Sequence, residues 1–498
     1  MQGDAVARTR GFAARVLPAM GFAALCAAFV FEIWRHIATG GDFWTLWAAA
    51  RAVAAGVDPY RTALLHRIAP LPPGPAPGSF LSPLFTAELM WPFGALPFAA
   101  ARLAWLAVNA GASVLLLHLV LRASGFRPTA PVLVAGAALL MAFQPYDITL
   151  WLGQTDVLVA AALAVGWWCL SRGRPVLGGL AVALAAVDVH LLLGFGFYFV
   201  YRAVARREYR PLLGLAAGLA VLGALCLLHP ADTAHWLLVT LPHAQASAIE
   251  PWDTLSVLQA ASELLGAHSA LAAVAPIDAG LLLLAVAAFR RPSATPEQDL
   301  AVAAVLTLAT TTFAYNQDYL LLVLAVPFLV QQWRRGAAAW WTGALAFCLA
   351  AGFGLAELTG GPVAPSHAAF IVGAPLLALA VLAGLPGVGA RLSRGHRFWA
   401  GAWAALTVGG YAAFTWSRWE VGPELLMLAG LLTFMALVGL RGAPGGVRGV
   451  PGRSRGLGRR AAPDGPPARI PAVEAAAPAS GRGGGTFAHA LGWRPNWR

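Results

Sequence analysis

Asp42, Asp58, Gln154, Asp188, His190 and Asp318 are polar residues that interrupt or flank long apolar runs in this chain. Asp42 opens the segment DFWTLWAAARAVAAGVDPY, among Phe43, Trp44 and Trp47. A carboxylate in apolar surroundings holds its proton more tightly and, once ionised, is the stronger base, which suits it to taking a proton from a hydroxyl. Arg51, on the same amphipathic run, is a cation that could face a phosphate, and it reads equally as a side chain snorkelling to an interface. Asp58 stands before Pro59 and Tyr60, and Asp-Pro reads equally as a turn. Gln154 belongs to Gly153-Gln154-Thr155-Asp156, His190 to Asp188-Val189-His190, and Asp318 to Tyr315-Asn316-Gln317-Asp318. Taken alone, His190 is as readily a hydrogen-bonded structural histidine as a reacting one. His229, Asp232 and His235 lie close together, but their spacing matches no strong metal template, so no metal or cofactor is expected.

The elements that must position these residues follow from composition. Hydrophobic residues make up 59% of 498 positions and charged residues 11%, with a mean hydropathy of +0.68. Such a chain is a polytopic membrane protein, and all-helical, because only helices or closed barrels satisfy their backbone within lipid. The formal charge of +12 comes without a single lysine, and the arginines gather between apolar segments and in the tail. That is the pattern of cytoplasmic loops facing anionic lipid and not of nucleic-acid binding. Cys26, Cys169, Cys226 and Cys348 lie inside apolar runs, which argues against disulfide or zinc roles.

Arginine asymmetry sets an expected topology. A first crossing at about 17–37, kept as an anchor, starts inside and delivers Asp42 to the outside. Crossings at about 98–122 and 130–149 follow, with an exit at Gln144–Asp147 and re-entry after Asp156. The stretch from Arg174 to Arg202 is basic at both ends, and a single helix cannot both leave and return. Two short helices meeting at Asp188-Val189-His190 are therefore predicted, at a break that must line a cavity or be buried in protein. Alternation then continues to about residue 440, giving roughly 12–14 crossings, some short or re-entrant. The domain expectation is a transmembrane unit over 1–440 and a basic, disordered cytoplasmic tail over 441–498. The proline-rich 61–97 loop, with Phe80, Leu84, Phe85, Leu89, Met90, Trp91 and Phe93, reads equally as a cover over an outward cavity and as a plug between helices. Inside loops are basic, while the acids and His190 fall outside.

With these residues on the page, the chain resembles the GT-C glycosyltransferases that use polyprenyl-phosphate sugars, and among them glycosyltransferase family 87. The resemblance rests on DFWTLWAAARAVAAGVDPY, FLSPLFTAELMWPFGALPFAAARLAW, LWLGQTDVLVAAALA, RGRPVLGGLAVALAAVDVHLLL and TTFAYNQDYLLLVLAVP, in that order. It implies a GT-C-like helical bundle in the inner membrane with its active face periplasmic or extracellular. It also implies a single-carboxylate, inverting transfer of a mannose-like hexose or a pentose from a polyprenyl-phosphate donor to a lipid-linked or envelope glycan acceptor. On that resemblance Asp42 is the catalytic base, and Arg51, Asp58, Tyr60, Gln154, Asp188, His190 and Asp318 face substrate. One departure stands out. The family usually carries Lys-Pro where this chain has Asp188-Val189, so a phosphate-facing cation has become an anion. The competing reading is a transporter of lipids or lipid-linked sugars, or a scaffold without transferase chemistry. It would favour an inverted repeat and charge on both sides, and neither is seen.

Overall fold

The computed structural model describes residues 41–69, 78–141, 143–243, 267–291, 294–311 and 314–335, with Ala27 and Met435 as isolated positions. The expected first crossing apart from Ala27, the 244–266 segment, the crossings after 335 apart from Met435, and the 441–498 tail lie outside the described residues. Among those described, every regular element is helical.

Helix α1 (Phe43–Ala54) is alanine-rich and buried from Phe43 to Ala50. It ends where Gly56 takes φ +66°, before the Asp58-Pro59 turn. The next stretch holds only short helices, α2 (Thr62–Ile68), α3 (Leu84–Leu89) and α4 (Trp91–Gly94), as its prolines dictate. Phe80, Leu84, Phe85 and Met90 are buried with α1, whereas Leu89 and Trp91 are exposed. The segment is thus mainly a plug packed inward on α1.

Helix α5 (Phe98–Ala123) has 26 residues, about 39 Å at 1.5 Å per residue, enough to cross a bilayer. Leu103, Val108, Val114 and Leu115 are exposed on it, as a lipid-facing surface requires. Helix α6 (Ala130–Met141) follows. At the expected exit, Gln144–Asp147, a new helix begins, α7 (Gln144–Leu152), and the pair bends by 76° between Met141 and Pro145. The cause is local, since Pro145 cannot donate back to α6 and suits the first turn of a fresh helix. Gly153, at φ +77°, ends α7.

Helices α8 (Asp156–Ser171) and α9 (Pro175–Ala183) form a hairpin. A 3₁₀ segment, Leu184–Leu192, joins α9 to α10 (Leu193–Ala205), and α11 (Tyr209–Cys226) follows. By length and apolarity alone Pro175–Ala205 would count as one 31-residue span. Packing forbids a straight rod. A Cβ on Gly214 would sit 2.2 Å from the Val176 carbonyl, and one on Gly179 2.1 Å from that of Pro211, so α9 and α11 touch backbone to backbone. The same alignment continues with Gly218 against Ala183, so the two helices run in the same direction. A straight helix would carry Ala205 about 43 Å from Val176, and the three residues before α11 reach only about 15 Å. The chain therefore turns back across Leu184–Leu192, where Asp188 alone leaves helical geometry (φ −122°, ψ 86°). This agrees with the two short helices predicted to meet there.

Helix α12 (Pro230–His235) is short, and α13 (Ala267–Phe289) leads to α14 (Pro296–Thr310). Thr295 caps α14 by accepting from the Gln298 N–H at 3.2 Å, with Pro296 first and Glu297 and Asp299 in the opening turn, all favourable at a helix N-terminus. A second 3₁₀ segment, Asn316–Ala325, precedes α15 (Val326–Arg335). Helices α10 and α14 pack antiparallel, with Gly194 against Ala303 and Thr307 and the Tyr198 hydroxyl donating to Asp299 at 2.8 Å. Among the described residues α5 and α11 are each long and apolar enough to span a membrane, the bent α6–α7 pair qualifies if taken as one span, and the Pro175–Ala205 stretch has the length and apolarity but folds back. The chain is an all-helical, polytopic membrane protein.

The bundle has two chemically different ends. At one, Trp167 donates to the Pro296 carbonyl at 2.8 Å, Arg206 donates to the Phe289 carbonyl at 2.7 Å, and Arg172, Arg174 and Arg207 lie in the turns. At the other, the start of α8, the 184–192 turn and the start of the Asn316–Ala325 segment come together.

Candidate active site

The acidic end is built from four chain segments. Gly41, at φ +44°, lies so close to α7 that a Cβ there would sit 2.8 Å from the Leu152 carbonyl. That contact sets Asp42 beside the Gly153-Gln154 turn. Asp42 caps α1, its carbonyl accepting from the Thr45 N–H at 3.0 Å and the Thr45 hydroxyl at 2.7 Å. The Gln154 amide donates to Asp42 Oδ2 at 2.6 Å. The Thr155 hydroxyl, one residue on, donates to Asp188 Oδ2. His190 Nε2 lies 3.0 Å from Asp318 Oδ2, and the Tyr315 N–H also donates to that oxygen, at 2.7 Å.

Asp156, at the first position of α8, is 2% exposed and interacts with both Asp188 and Asp318. Three carboxylates this close repel one another. The Thr155 hydroxyl, the imidazole of His190 and the Tyr315 N–H supply the opposing positive charge and dipoles. The arrangement can hold hydroxyl-rich ligands by hydrogen bonds, and Asp42 can take a proton from one of them. No group of three or more His, Cys, Asp or Glu able to hold a metal occurs among the described residues.

Asp42, Gln154, Asp188, His190 and Asp318 are thus assembled at one end of the bundle. Arg51, Asp58 and Tyr60 are engaged elsewhere. Arg51 donates to the Gly94 carbonyl at 3.3 Å and lies 5.0 Å from the centre of the Trp47 ring. Asp58 accepts from the Tyr60 N–H at 2.9 Å and from Arg61 at 3.2 Å, and pairs with His235 Nδ1 at 2.6 Å. Tyr60 donates to the Ser82 carbonyl at 3.1 Å, and burial, then nearby Cys226, Asp58 and Asp232, push its phenol up. His229 extends this second cluster, 3.2 Å from Glu88 and 4.0 Å from Asp232.

Sequence reasoning passed over Arg102 and Trp105. Trp105 Nε1 donates to the Gly153 carbonyl at 2.8 Å, and Arg102 donates to the carbonyls of Leu150 (3.0 Å) and Trp151 (2.5 Å). Both hold the turn that presents Gln154. The available signal was an arginine five residues past Pro97, inside an otherwise apolar crossing.

No curated protein matches this chain, and no solved structure does. A family model does match, over residues 80–315, a range that holds Gln154, Asp188 and His190 and leaves Asp42 and Asp318 outside. That match is to glycosyltransferase family 87, of the GT-C fold superfamily, and with the membrane-crossing helices it indicates a membrane glycosyltransferase.

Proposed function

We propose that this chain transfers a mannose-like hexose or a pentose from a polyprenyl-phosphate donor to a lipid-linked or envelope glycan acceptor, with inversion, at the outer face of the cytoplasmic membrane. The observation that carries the reading is the Asp42 carboxylate, held by Gln154 at the end of the bundle opposite the arginines. By the positive-inside rule the arginine end faces the cytoplasm, and the acidic end then opens outward.

Asp42 accepts the proton of the acceptor hydroxyl as that oxygen attacks the anomeric carbon. The bond from that carbon to the phosphate oxygen breaks, and the polyprenyl phosphate leaves with the bonding pair. A phosphate departs without a protonating acid, so one carboxylate suffices where glycoside hydrolysis uses two. His190, paired with Asp318 at 3.0 Å, supplies a cation at this face and stands in for the lysine the family usually carries. Asp188 and Asp156 offer acceptors to sugar hydroxyls.

The test is transfer measured in membranes from overexpressing cells, offered several polyprenyl-phosphate sugars. Asp42→Asn keeps the shape and should lower turnover by the ~10²–10⁴-fold typical of a lost general base, with protein abundance unchanged. Asp58→Asn, in the second cluster, should leave turnover within a few-fold of wild type. Full activity in Asp42→Asn together with none in Asp318→Asn would move the base to Asp318, and wild-type inactivity with every donor would remove the transferase reading.

A further inference from the structure

Arg102 is 0% exposed, a costly place for a charge unless something compensates it. Its Nη2 caps the C-terminal end of α7 through the Leu150 and Trp151 carbonyls, where the helix dipole favours a cation. Its Nε and Nη1 have no hydrogen-bond partner among the described residues. The guanidinium carbon lies 5.4 Å from the centre of the Phe43 ring, and a Cβ on Gly153 would collide with Nη1 at 1.6 Å and with Phe43 Cβ at 2.7 Å. Phe43 follows Asp42 and Gly153 precedes Gln154, so the cation sits directly behind the pair that forms the proposed base. Asp42 is the carboxylate within its electrostatic reach.

We infer that Arg102 is the positioning residue of the site, a buried cation that holds Asp42 as an ionised carboxylate and, through the α7 cap, aims Gln154 at it. Two tasks meet in one side chain. Its Nη2, bonded to the Leu150 and Trp151 carbonyls, fixes the end of α7, so the Gln154 amide arrives at Oδ2, and the charge opposes the proton affinity that Phe43, Trp44 and Trp47 would otherwise confer on Asp42. A base must be unprotonated before the acceptor arrives, and an aromatic setting alone would work against that. The inference rests on the proposed role of Asp42 for its catalytic meaning, but its electrostatic content can be read without turnover.

The experiment is an infrared titration of the full-length chain in lipid nanodiscs, with Asp42 isolated as the wild-type minus Asp42→Asn difference band and the same subtraction made in each Arg102 background. The wild-type band should titrate at or below the ordinary aspartate value of ~3.9. Arg102→Met should move the midpoint up by one pH unit or more, while Arg102→Lys, which keeps the charge and loses the guanidinium, should move it by less than half that. A wild-type midpoint above ~5 overturns the inference with no variant needed. So does a folded Arg102→Met, judged by unchanged helical circular dichroism, whose midpoint stays put. Should Arg102→Met fail to fold, a shift in Arg102→Lys as large as one unit overturns it equally. Where a donor supports transfer, the acid limb of kcat/KM should follow the infrared midpoint in each variant. A chain without transferase activity still yields the titration, so failure of the two ideas is told apart.

Discussion

The side chains of Gln154 and Asp42 meet at 2.6 Å although 112 positions separate them in sequence. The contact exists because Gly41 lets the chain press against Leu152, and because Arg102 and Trp105, one helical turn apart on α5, grip the end of α7 and the Gly153 carbonyl.

Removing that contact should impair chemistry more than binding. A hydrogen bond to a charged group contributes about 1.5–3 kcal/mol, which is roughly 10–100-fold in rate. Gln154→Leu should therefore lower kcat by that factor with KM changed by less than about threefold. Gln154→Glu, which sets a second carboxylate against Asp42, should be worse than Gln154→Leu, and steady-state kinetics on the donor identified in membranes decide the order.

Topology can be read by labelling. With the four native cysteines replaced, single cysteines at Arg174 and Arg207 should react from the cytoplasmic side and one at Val189, exposed on the 184–192 turn, from the outside. Labelling of Val189 from the cytoplasm would contradict both the returning helix pair and the outward site.

Gly153 should tolerate no side chain. Gly153→Ala meets the Arg102 guanidinium and also occupies φ +77°, whereas Gly173→Ala has a similar φ of +71° with open space around it. The control should cost the ~1 kcal/mol of an alanine forced into the left-handed region. Gly153→Ala should cost about 1–3 kcal/mol more, because the buried cation must move. Thermal unfolding in detergent gives the difference, and equal losses would mean Arg102 can yield freely.

Stability should depend on pH through Asp232, which lies outside the spanning helices. Burial first and then Asp58 push its carboxyl up, against the pull of His229, His235 and Arg61. A carboxyl raised by folding supports the fold while protonated, and that support is lost as pH climbs through the folded value. Asp232→Asn, which stays neutral, should match wild type near pH 4, where the ordinary aspartate value of ~3.9 lies, and unfold at a slightly higher temperature at pH 7. A lower melting temperature at pH 7 would show that the 4.0 Å contact with His229 outweighs the burial of the charge.

Much of this architecture was legible before any coordinates, for a physical reason. Apolar runs must be helical in lipid, and arginine placement sorts the loops, so the all-helical membrane class, the arginine-lined end and the break at Asp188 all follow from local composition. Asp188 was legible because a chain basic at both ends must turn back, and the turn falls at its only charged interior point. What local composition could not reach was which polar groups share a site. Asp58 and Tyr60 stand closer to Asp42 in sequence than Gln154 does, yet Asp58 pairs with His235 and Tyr60 bonds to Ser82. That the 144–152 stretch forms α7 was not legible either, because Pro145 and Gly153 are compatible with a short helix as well as with a turn, and contact with the Asn316–Ala325 segment and the Arg102 bonds to its last carbonyls hold the helix. Arg102 stands inside an otherwise apolar crossing, and nothing in the neighbouring sequence shows what it bonds to. Only the tertiary approach of the α7 end to Arg102 made it a buried cation, since the partners that stabilise it are backbone carbonyls and a carboxylate from two other segments, and contacts of that kind leave no periodic trace in the chain.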